Sequence, residues 1–420
     1  MHSHAVELAQ TFLTAILLVF FVGTLGGKLS EKLRIPDVVL FILIGMLLSP
    51  SVLDLVDIRS ESTANQAILL FGASFILFHG GMITRLSVLK EVWRTITLLS
   101  TLGVVVTALV VAVAAVWIFD MSFMPALLLG SILASTDPAA LVPIFQKFPV
   151  RRKVSQTVIT ESAFTDATGA IMATVVFSLL MTTGAAVEWG SIGLQFAQLA
   201  LGGIVVGAIV GWIAAFLISE NDRGLLREFA PMVIVITVLA AYLGAEWIHA
   251  SGFMSVFVAG LMIGNAESFK LTILPKQEHA AHEFIDAVSL KLRMLIFILL
   301  GSQVDFSVLQ DYGLQGLLVV LVFVFLARPI TVLSCLLPDR RAKWKRNEIL
   351  FLFWTRETGV IAAALVGIVG SSGLEDAKLM SAIAFVAILF TLLLQASTTP
   401  FVAKKLGLLE EQQVREKGHL

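Results

Sequence analysis

Charged residues are scarce in this chain of 420 residues: they make up 14% of it, whereas hydrophobic residues make up 58%. Soluble domains carry about 25% charged residues, so this composition excludes an ordinary water-soluble fold. The mean hydropathy of +0.94 likewise favours a lipid environment. The single cysteine, Cys335, excludes a disulfide framework.

Several functional signals are also missing. No basic segment precedes the first apolar run and no small-residue cleavage site follows it, so we expect that run to be a retained helix rather than a signal peptide. No stretch is polar enough for a soluble domain, and a regulatory module would have to be a separate cytoplasmic subunit. A His-Glu-x-x-His motif and a nucleophile with a partner base are absent, which excludes an intramembrane hydrolase. We therefore expect no enzyme and no cofactor.

Apolar runs long enough to cross a bilayer, about 20 residues each, recur along the chain. They lie near 8–26, 36–53, 64–83, 95–118, 123–147, 154–181, 190–218, 229–248, 252–266, 284–302, 314–337, 347–370 and 378–402. The sequence therefore predicts an all-α membrane protein with 13 transmembrane helices. The run 252–266 is short, and 123–147 is interrupted by Pro138 and Pro143.

Basic residues fall in alternate connections, and the intervening loops hold only Arg59 and Lys378. The positive-inside rule then predicts an outside N-terminus and an inside C-terminus. The resulting organisation is a transporter domain over 1–403, followed by a short cytoplasmic tail over 404–420. The basic cluster at 340–346 is explained by this topology, and we expect no nucleic-acid partner.

Several charged residues lie well inside the apolar runs, among them Asp137, Glu161, Asp166, Arg356 and Glu357. A charge at the centre of a spanning helix costs roughly 2.5–3.5 kcal/mol, so such residues are expected to pair or to function. Asp137 and Arg356 are each about nine residues from the inner end of their run, and Asp166 about eleven, which is roughly 13–17 Å. These charges are thus predicted to share one layer near the bilayer midplane.

Two of the helices carry an internal break. Thr136-Asp137-Pro138 interrupts the fifth predicted helix, and the polar, glycine-containing segment 355–359 interrupts the twelfth. Helices seven crossings apart run in opposite directions. Paired broken helices in two inverted-topology six-helix repeats are the best sequence indication of a transporter binding site.

Glu161 and Asp166 are separated by five residues, or about 140° around a helix, so they face different directions. This geometry favours a division of labour in which one carboxylate pairs with Arg356 and the other is open to an ion. Because an arginine at the midplane needs a carboxylate partner, we expect Glu161 to pair with it and Asp166 to titrate. Burial favours the neutral form of Asp166, so protons and a small cation could compete for it.

Four stretches in order carry a family resemblance: LFHGGM at 77–82, ASTDPAALVPIF, the ESAFTD segment and WTRETGVIAAAL. The chain resembles the monovalent cation/proton antiporter superfamily, specifically its NhaP-like sodium–proton exchanger branch. The resemblance implies a homodimer in which core helices, about 95–181 and 314–402, move against dimerisation helices in an elevator-type cycle. It also implies that Asp166 binds the cation and the proton, that Thr136 and Ser162 are ion ligands, and that Asp137 holds the helix crossing. A direct role of Asp137 is the alternative, and we include Asp137 and Thr165 in the predicted ion- and proton-binding site.

The chain departs from the pattern of that branch at several positions. Thr165 stands where asparagine is typical; because it is neutral, a single titratable carboxylate remains, which favours electroneutral 1:1 exchange. His79 replaces an acidic residue that is frequent in the third helix and is expected to snorkel or to form a hydrogen bond near the inner end. Glu357 replaces a small residue and has no assigned role. Arg328 is expected to snorkel to the inner surface, with a core ion pair as the alternative.

The sequence thus predicts a secondary antiporter of the inner cell membrane that exchanges Na⁺ or K⁺ for H⁺. A cation channel and a cation-coupled solute symporter of similar topology are the alternatives. A channel would need a continuous polar path, whereas here the polar residues form one layer between apolar stretches.

Overall fold

The computed structural model describes residues 4–33, 35–56, 58, 62–137, 140–181, 189–220, 225–304, 306–370 and 372–410. Helices account for all the regular secondary structure in these ranges, apart from one isolated bridge between Val150 and Leu409. The α-helices are α1 (His4–Leu33), α2 (Asp37–Leu48), α3 (Thr63–Ile83), α4 (Leu86–Ser100), α5 (Leu102–Phe119), α6 (Phe123–Ala134), α7 (Leu141–Lys147), α8 (Arg152–Met181), α9 (Trp189–Ile218), α10 (Ala230–Trp247), α11 (Gly252–Gly264), α12 (Pro275–Ser302), α13 (Phe306–Val322), α14 (Arg328–Leu336), α15 (Arg346–Trp354), α16 (Val360–Gly370), α17 (Ala377–Phe390) and α18 (Ser397–Lys405). Short π-helical segments join α13 to α14 over Phe323–Ala327 and α17 to α18 over Thr391–Ala396.

Eight helical stretches in the described ranges are long and apolar enough to cross a bilayer. Four shorter apolar helices accompany them: α2, α6, α11 and α16. The chain is therefore an all-helical, multi-pass membrane protein, as the composition predicted. The exact number of crossings, the repeats and the orientation remain predictions.

The two weakest predicted spans are both helical. The short run at 252–266 forms α11, whose N-terminus is capped by the Ser251 hydroxyl accepting from the Met254 amide at 3.3 Å. The run at 123–147 is broken, as expected, into α6 and α7. Pro143 lies in the first turn of α7, where proline is tolerated, and Pro138 lies outside the described residues.

One group of helices packs around an apolar cluster formed by α3, α9, α10, α11 and α12. Within this group α3 and α11 approach closely, because Gly81 packs against the Phe257 carbonyl and Gly260 packs against the Phe78 carbonyl. A side chain at either glycine would separate the two backbones. Small residues are the usual means of close helix packing in lipid, so α3 and α11 form a tightly joined pair.

A second group packs around a cluster contributed by α5, α6, α8, α13, α16 and α17. A third cluster joins the two groups, because α1, α2, α3 and α12 there meet α7, α8, α15 and α16. Two of the predicted midplane charges, Asp137 and Asp166, lie where these two groups of helices meet, because they share a cavity with residues of α3 and α16.

Candidate functional site

Two interrupted helices cross at the centre of the protein. The first consists of α6 and α7, and Ser135 follows α6 with extended backbone (φ −66°, ψ 136°). The second consists of α15 and α16, and Thr355 leaves α15 in the same way (φ −87°, ψ 92°). Each break exposes backbone groups that a continuous helix would pair internally. Both helices break where the sequence predicted.

Asp137 fastens the two breaks together. Its amide donates to the Glu357 carbonyl at 2.8 Å, and its Oδ2 accepts from the Val360 amide at 3.0 Å. The carboxylate thereby satisfies a free amide at the N-terminus of α16, where the helix dipole favours negative charge. Gly359 is the residue that makes this approach sterically feasible, because a Cβ there would overlap the Asp137 carboxylate. Asp137 therefore lies at the helix crossing.

Asp166 extends from α8 towards the first break and is 2% exposed. The Ser135 hydroxyl donates to Asp166 Oδ1 at 2.5 Å. Asp166 and Asp137 both line a small cavity of about 10 Å³, whose remaining walls are apolar residues of α3 and α16: Ala73, Ile76, Leu77, Val360 and Ile361. Ser135 was not predicted as a site residue, and it is the closest polar neighbour of Asp166 described here.

Thr136 points to a different partner. Its hydroxyl lies 2.6 Å from that of Thr165, and the Thr165 hydroxyl also lies within hydrogen-bonding distance of the Glu161 and Ser162 carbonyls, at 2.9 and 3.0 Å. The two threonines thus tie the first break to α8. Ser162 is buried one turn before Asp166, and residues four apart share a helix face. The predicted ligands lie near Asp166, but the hydroxyl in direct contact with it belongs to Ser135.

The predicted pairing of Glu161 with Arg356 is wrong. Glu161 instead forms a bidentate ion pair with Arg328, whose Nη2 lies 3.0 Å from Glu161 Oε2 and whose Nη1 contacts Oε1. Arg328 also donates from Nε to the Leu352 carbonyl at 2.8 Å and from Nη2 to the Thr355 carbonyl at 3.2 Å. It is 1% exposed, so the expectation that it snorkels to the surface is wrong and the alternative, a core ion pair, is confirmed. Arg328 holds α8 against the end of α15.

Arg356 has other partners. Its Nη2 donates to the Ala134 carbonyl at 2.8 Å, its Nη1 donates to the Thr107 hydroxyl at 3.3 Å, and its guanidinium lies 5.1 Å from the Phe323 ring centre. Ala134 is the last residue of α6, so its carbonyl has no partner within that helix. A positive charge at this position offsets the partial negative charge of the helix C-terminus. Arg356 therefore caps the first half of the broken helix.

Glu357 is 1% exposed and lies in the second break. Within the described part of the chain, neither of its carboxyl oxygens has a hydrogen-bond partner. Only its backbone carbonyl is used, as the acceptor from Asp137. The structure therefore places Glu357 between α15 and α16 but shows no hydrogen-bond partner for its side chain among the described residues.

His79 lies outside the cavity that Asp166 lines. It is 7% exposed, and its Nε2 is 2.9 Å from Oδ1 of Asp286 on α12. This contact joins α3 to α12 within the first group of helices, one turn from Ile76 of the cavity wall. Within the described residues, Nε2 is at ion-pair distance from this carboxylate but has no partner that meets the geometry of a hydrogen bond, so the hydrogen-bonded histidine stays a prediction.

The sequence also matches a known family model. The model described as sodium/hydrogen exchanger, transmembrane, matches residues 16–405. The chain belongs to the sodium/hydrogen exchanger family. This is a family of transporters rather than enzymes, and it includes proteins named NhaP, in agreement with the resemblance carried by the four sequence motifs.

Named relatives differ in the cation that they are said to exchange. The chain is 30% identical to "Na(+)/H(+) antiporter 1" of Methanocaldococcus jannaschii, over 96% of this chain and 97% of that protein. It is also 30% identical to "K(+)/H(+) antiporter NhaP" of Alkalimonas amylolytica, over 96% of this chain and 68% of that protein. Equal identity to a sodium and a potassium antiporter leaves the choice of cation to the site itself.

The fold is similar to that of a solved member of the family. The structure of the sodium proton antiporter MjNhaP1 from Methanocaldococcus jannaschii at pH 8 matches with a TM-score of 0.77 at 27% identity, covering 94% of this chain and 99% of that one. A second structure of MjNhaP1, an electron-microscopy map, matches with a TM-score of 0.81.

Proposed function

We propose that this protein is a secondary antiporter that exchanges Na⁺ or K⁺ for H⁺, with Asp166 binding the cation and the proton in turn. Membership of the exchanger family and the names of the relatives support the reaction. A transporter of this kind needs a site that one ion can neutralise at mid-membrane depth.

The observation that carries the proposal is the environment of Asp166. A buried carboxylate with a hydroxyl donor faces a cavity of about 10 Å³ beside a second carboxylate, Asp137. A cavity needs about 10–15 Å³ to hold one water, so this volume is suited to a single small ion rather than to a larger organic substrate. The oxygens of Asp166, Ser135, Thr136 and Ser162 supply the hard ligands that such cations prefer.

One titrating carboxylate predicts the stoichiometry. In our proposal the second carboxylate of α8, Glu161, is fixed by Arg328, and Thr165 carries no charge. Asp166 then releases one proton for each monovalent cation that it binds, so the exchange is electroneutral.

Alternating access requires the site to move relative to a scaffold. We assign the moving core to helices within about 95–181 and 314–402, and the scaffold and dimerisation helices to the remainder of 1–403. The packing of the chain into two groups of helices that meet at Asp166 supports this division. The elevator-type cycle, the homodimer, and a separate regulatory subunit are parts of this proposal.

The proposed topology has 13 crossings in two inverted six-helix repeats, with the N-terminus outside and the C-terminus inside the inner cell membrane. The alternation of basic loops supports the orientation. In this arrangement α6–α7 and α15–α16 are the fifth and twelfth helices, and run in opposite directions.

Exchange can be measured in proteoliposomes that carry a trapped pH-sensitive dye. Adding Na⁺, K⁺ or Li⁺ outside should restore the dye fluorescence as protons leave, and the order of responses gives the preferred cation. An imposed membrane potential should leave the driving force unchanged. Cation flux without proton movement would indicate a channel, and proton-coupled uptake of an organic solute would indicate a symporter; either result would overturn the proposal.

A further inference from the structure

A cavity of about 640 Å³ lies away from Asp166, at the basic ends of the helices. It opens between α1, α2 and α12 on one side and α7 and α18 on the other. This volume falls within the roughly 300–1,000 Å³ that small-molecule sites occupy. The exchange mechanism above makes no use of it.

The walls of this cavity are mostly apolar. Leu25, Phe41, Ile144, Phe148 and Met294 contribute to them. Leu25 is 57% exposed and continues an apolar stripe along α1 in which Phe21 is 63% and Leu29 is 46% exposed. Because such a stripe faces either lipid or a second chain within the membrane, the cavity opens towards the membrane interior rather than towards water alone.

Three lysines surround the cavity: Lys28 on α1, Lys147 on α7 and Lys291 on α12. All three are exposed, and within the described ranges none lies at ion-pair distance from a carboxylate. Basic pockets between membrane helices bind anionic headgroups, and lysine stems can lie along apolar walls while the ammonium group reaches the interface.

Two carboxylates also line the cavity, Glu31 and Asp37. Asp37 is engaged elsewhere, because its Oδ1 accepts from the Val38 amide at 3.0 Å and its Oδ2 lies 3.7 Å from Arg293. Glu31 is exposed. Three lysines against two carboxylates leave a positive balance, which selects an anionic ligand over a zwitterionic one.

We propose that this cavity binds one membrane phospholipid with an anionic headgroup. Its acyl chain lies along the apolar wall, and its phosphate is held by Lys28, Lys147 and Lys291. Lys147 and Ile144 belong to α7, the second half of the interrupted helix whose break contacts Asp166. The other two lysines belong to α1 and α12. The bound lipid therefore bridges the two groups of helices.

Lipid retention can be measured by native mass spectrometry of the detergent-purified protein, titrated with phosphatidylglycerol or with phosphatidylcholine of the same acyl chains. We expect tight retention of phosphatidylglycerol, accompanied by a rise in melting temperature, and weaker retention of phosphatidylcholine. Each single Lys→Gln substitution should weaken phosphatidylglycerol binding about fivefold, and the triple substitution about a hundredfold. Lys378→Gln, at an exposed position in the first turn of α17, is the matched control and should change nothing.

A second variant tests the acyl-chain wall independently of charge. Gly27 lines the cavity, and a Cβ there would meet no atom within 4 Å, so Gly27→Phe should fold normally and fill the space. Gly313→Phe on α13, where a Cβ is equally unobstructed, is its control. Loss of phosphatidylglycerol binding in Gly27→Phe alone supports the proposal.

Three results would overturn it: equal retention of both lipids, unchanged binding in the triple lysine variant, or competition by glycerol phosphate as strong as by the whole lipid. The last outcome would mean a headgroup site without an acyl chain. These measurements do not depend on transport, so they remain informative whether or not exchange is observed.

Discussion

The identity of the partner of Glu161 is open to a direct energetic test. Glu161 and Arg328 are 2% and 1% exposed and form a bidentate pair, whereas Arg356 caps α6. The perturbations are Glu161→Gln, Arg328→Met and Arg356→Met, together with the two double variants that include Glu161→Gln. Each single change removes one group and leaves its partners in place.

The expected magnitudes follow from these contacts. Removing either member of the Glu161–Arg328 pair leaves a buried charge uncompensated, which typically costs 3–5 kcal/mol of unfolding free energy, or about 4 kcal/mol here. Arg328→Met also leaves the Leu352 and Thr355 carbonyls without this donor. The double variant removes both charges, so it should cost at least about 2 kcal/mol less than the sum of the single changes. For Glu161 with Arg356, the coupling should stay below about 1 kcal/mol.

Equilibrium unfolding in mixed detergent micelles, at fixed lipid and protein concentrations, gives the free energies from which each coupling is obtained. Thermal melting of the same five variants provides an independent ranking. A larger coupling of Glu161 with Arg356 than with Arg328 would refute the assignment made from the structure, and so would additive effects of Glu161→Gln and Arg328→Met.

Three further substitutions test the site around this pair. Gly359→Ala should displace the Asp137 carboxylate, which lowers the melting temperature and abolishes exchange. Gly370→Ala is the control, because its new Cβ has no atom within 4 Å, and it should change neither the melting temperature nor exchange. Retained exchange in Gly359→Ala would contradict the crossing geometry. Ser135→Ala removes the hydroxyl that donates to the proposed ion-binding carboxylate, and such a hydrogen bond to a charged group contributes about 1.5–3 kcal/mol. The apparent KM for the cation should therefore rise about tenfold or more in the dye assay. An unchanged KM would exclude the contact. Glu357→Gln removes no side-chain hydrogen bond seen in the described residues and replaces a buried carboxyl group by a neutral amide, so melting temperature and exchange should both be preserved. Loss of exchange would give Glu357 a role in transport.

The large features of this protein could be predicted from sequence because each has a strong local signal. Long apolar runs specify spanning helices, and the segments around Asp137 and Gly359 specify breaks, since proline, glycine and consecutive polar residues are costly inside an apolar helix. The family followed from short motifs around these breaks. In both cases, the physical cause lies within a few residues of the chain.

The partner of Glu161 could not be predicted, because the depth of a residue in the membrane does not specify the direction in which its side chain points. Arg328 is about nine residues from the end of its predicted span, as deep as Arg356, so depth alone did not separate them. The π-helical segment Phe323–Ala327 also shifts the helical register immediately before Arg328. No feature of the sequence indicated that shift, and the arginine that turns towards Glu161 became known only from the fold.

Ser135 was missed for a different reason, although a signal was available. In an extended segment, alternate side chains point to opposite sides. Ser135 and Asp137 both lie on the side of Asp166, and Thr136 between them contacts Thr165. Treating 135–137 as extended backbone, once the break had been predicted, would have placed Ser135 rather than Thr136 beside the carboxylate.

The most direct test of the account is proton exchange by Asp166→Asn in dye-loaded proteoliposomes, measured beside the wild-type protein at matched incorporation. We expect Na⁺ or K⁺ to restore fluorescence with the wild-type protein and to have no effect with the variant, whose melting temperature in detergent should remain close to that of the wild type. Near-normal exchange by Asp166→Asn would contradict the claim that this carboxylate carries the cation and the proton.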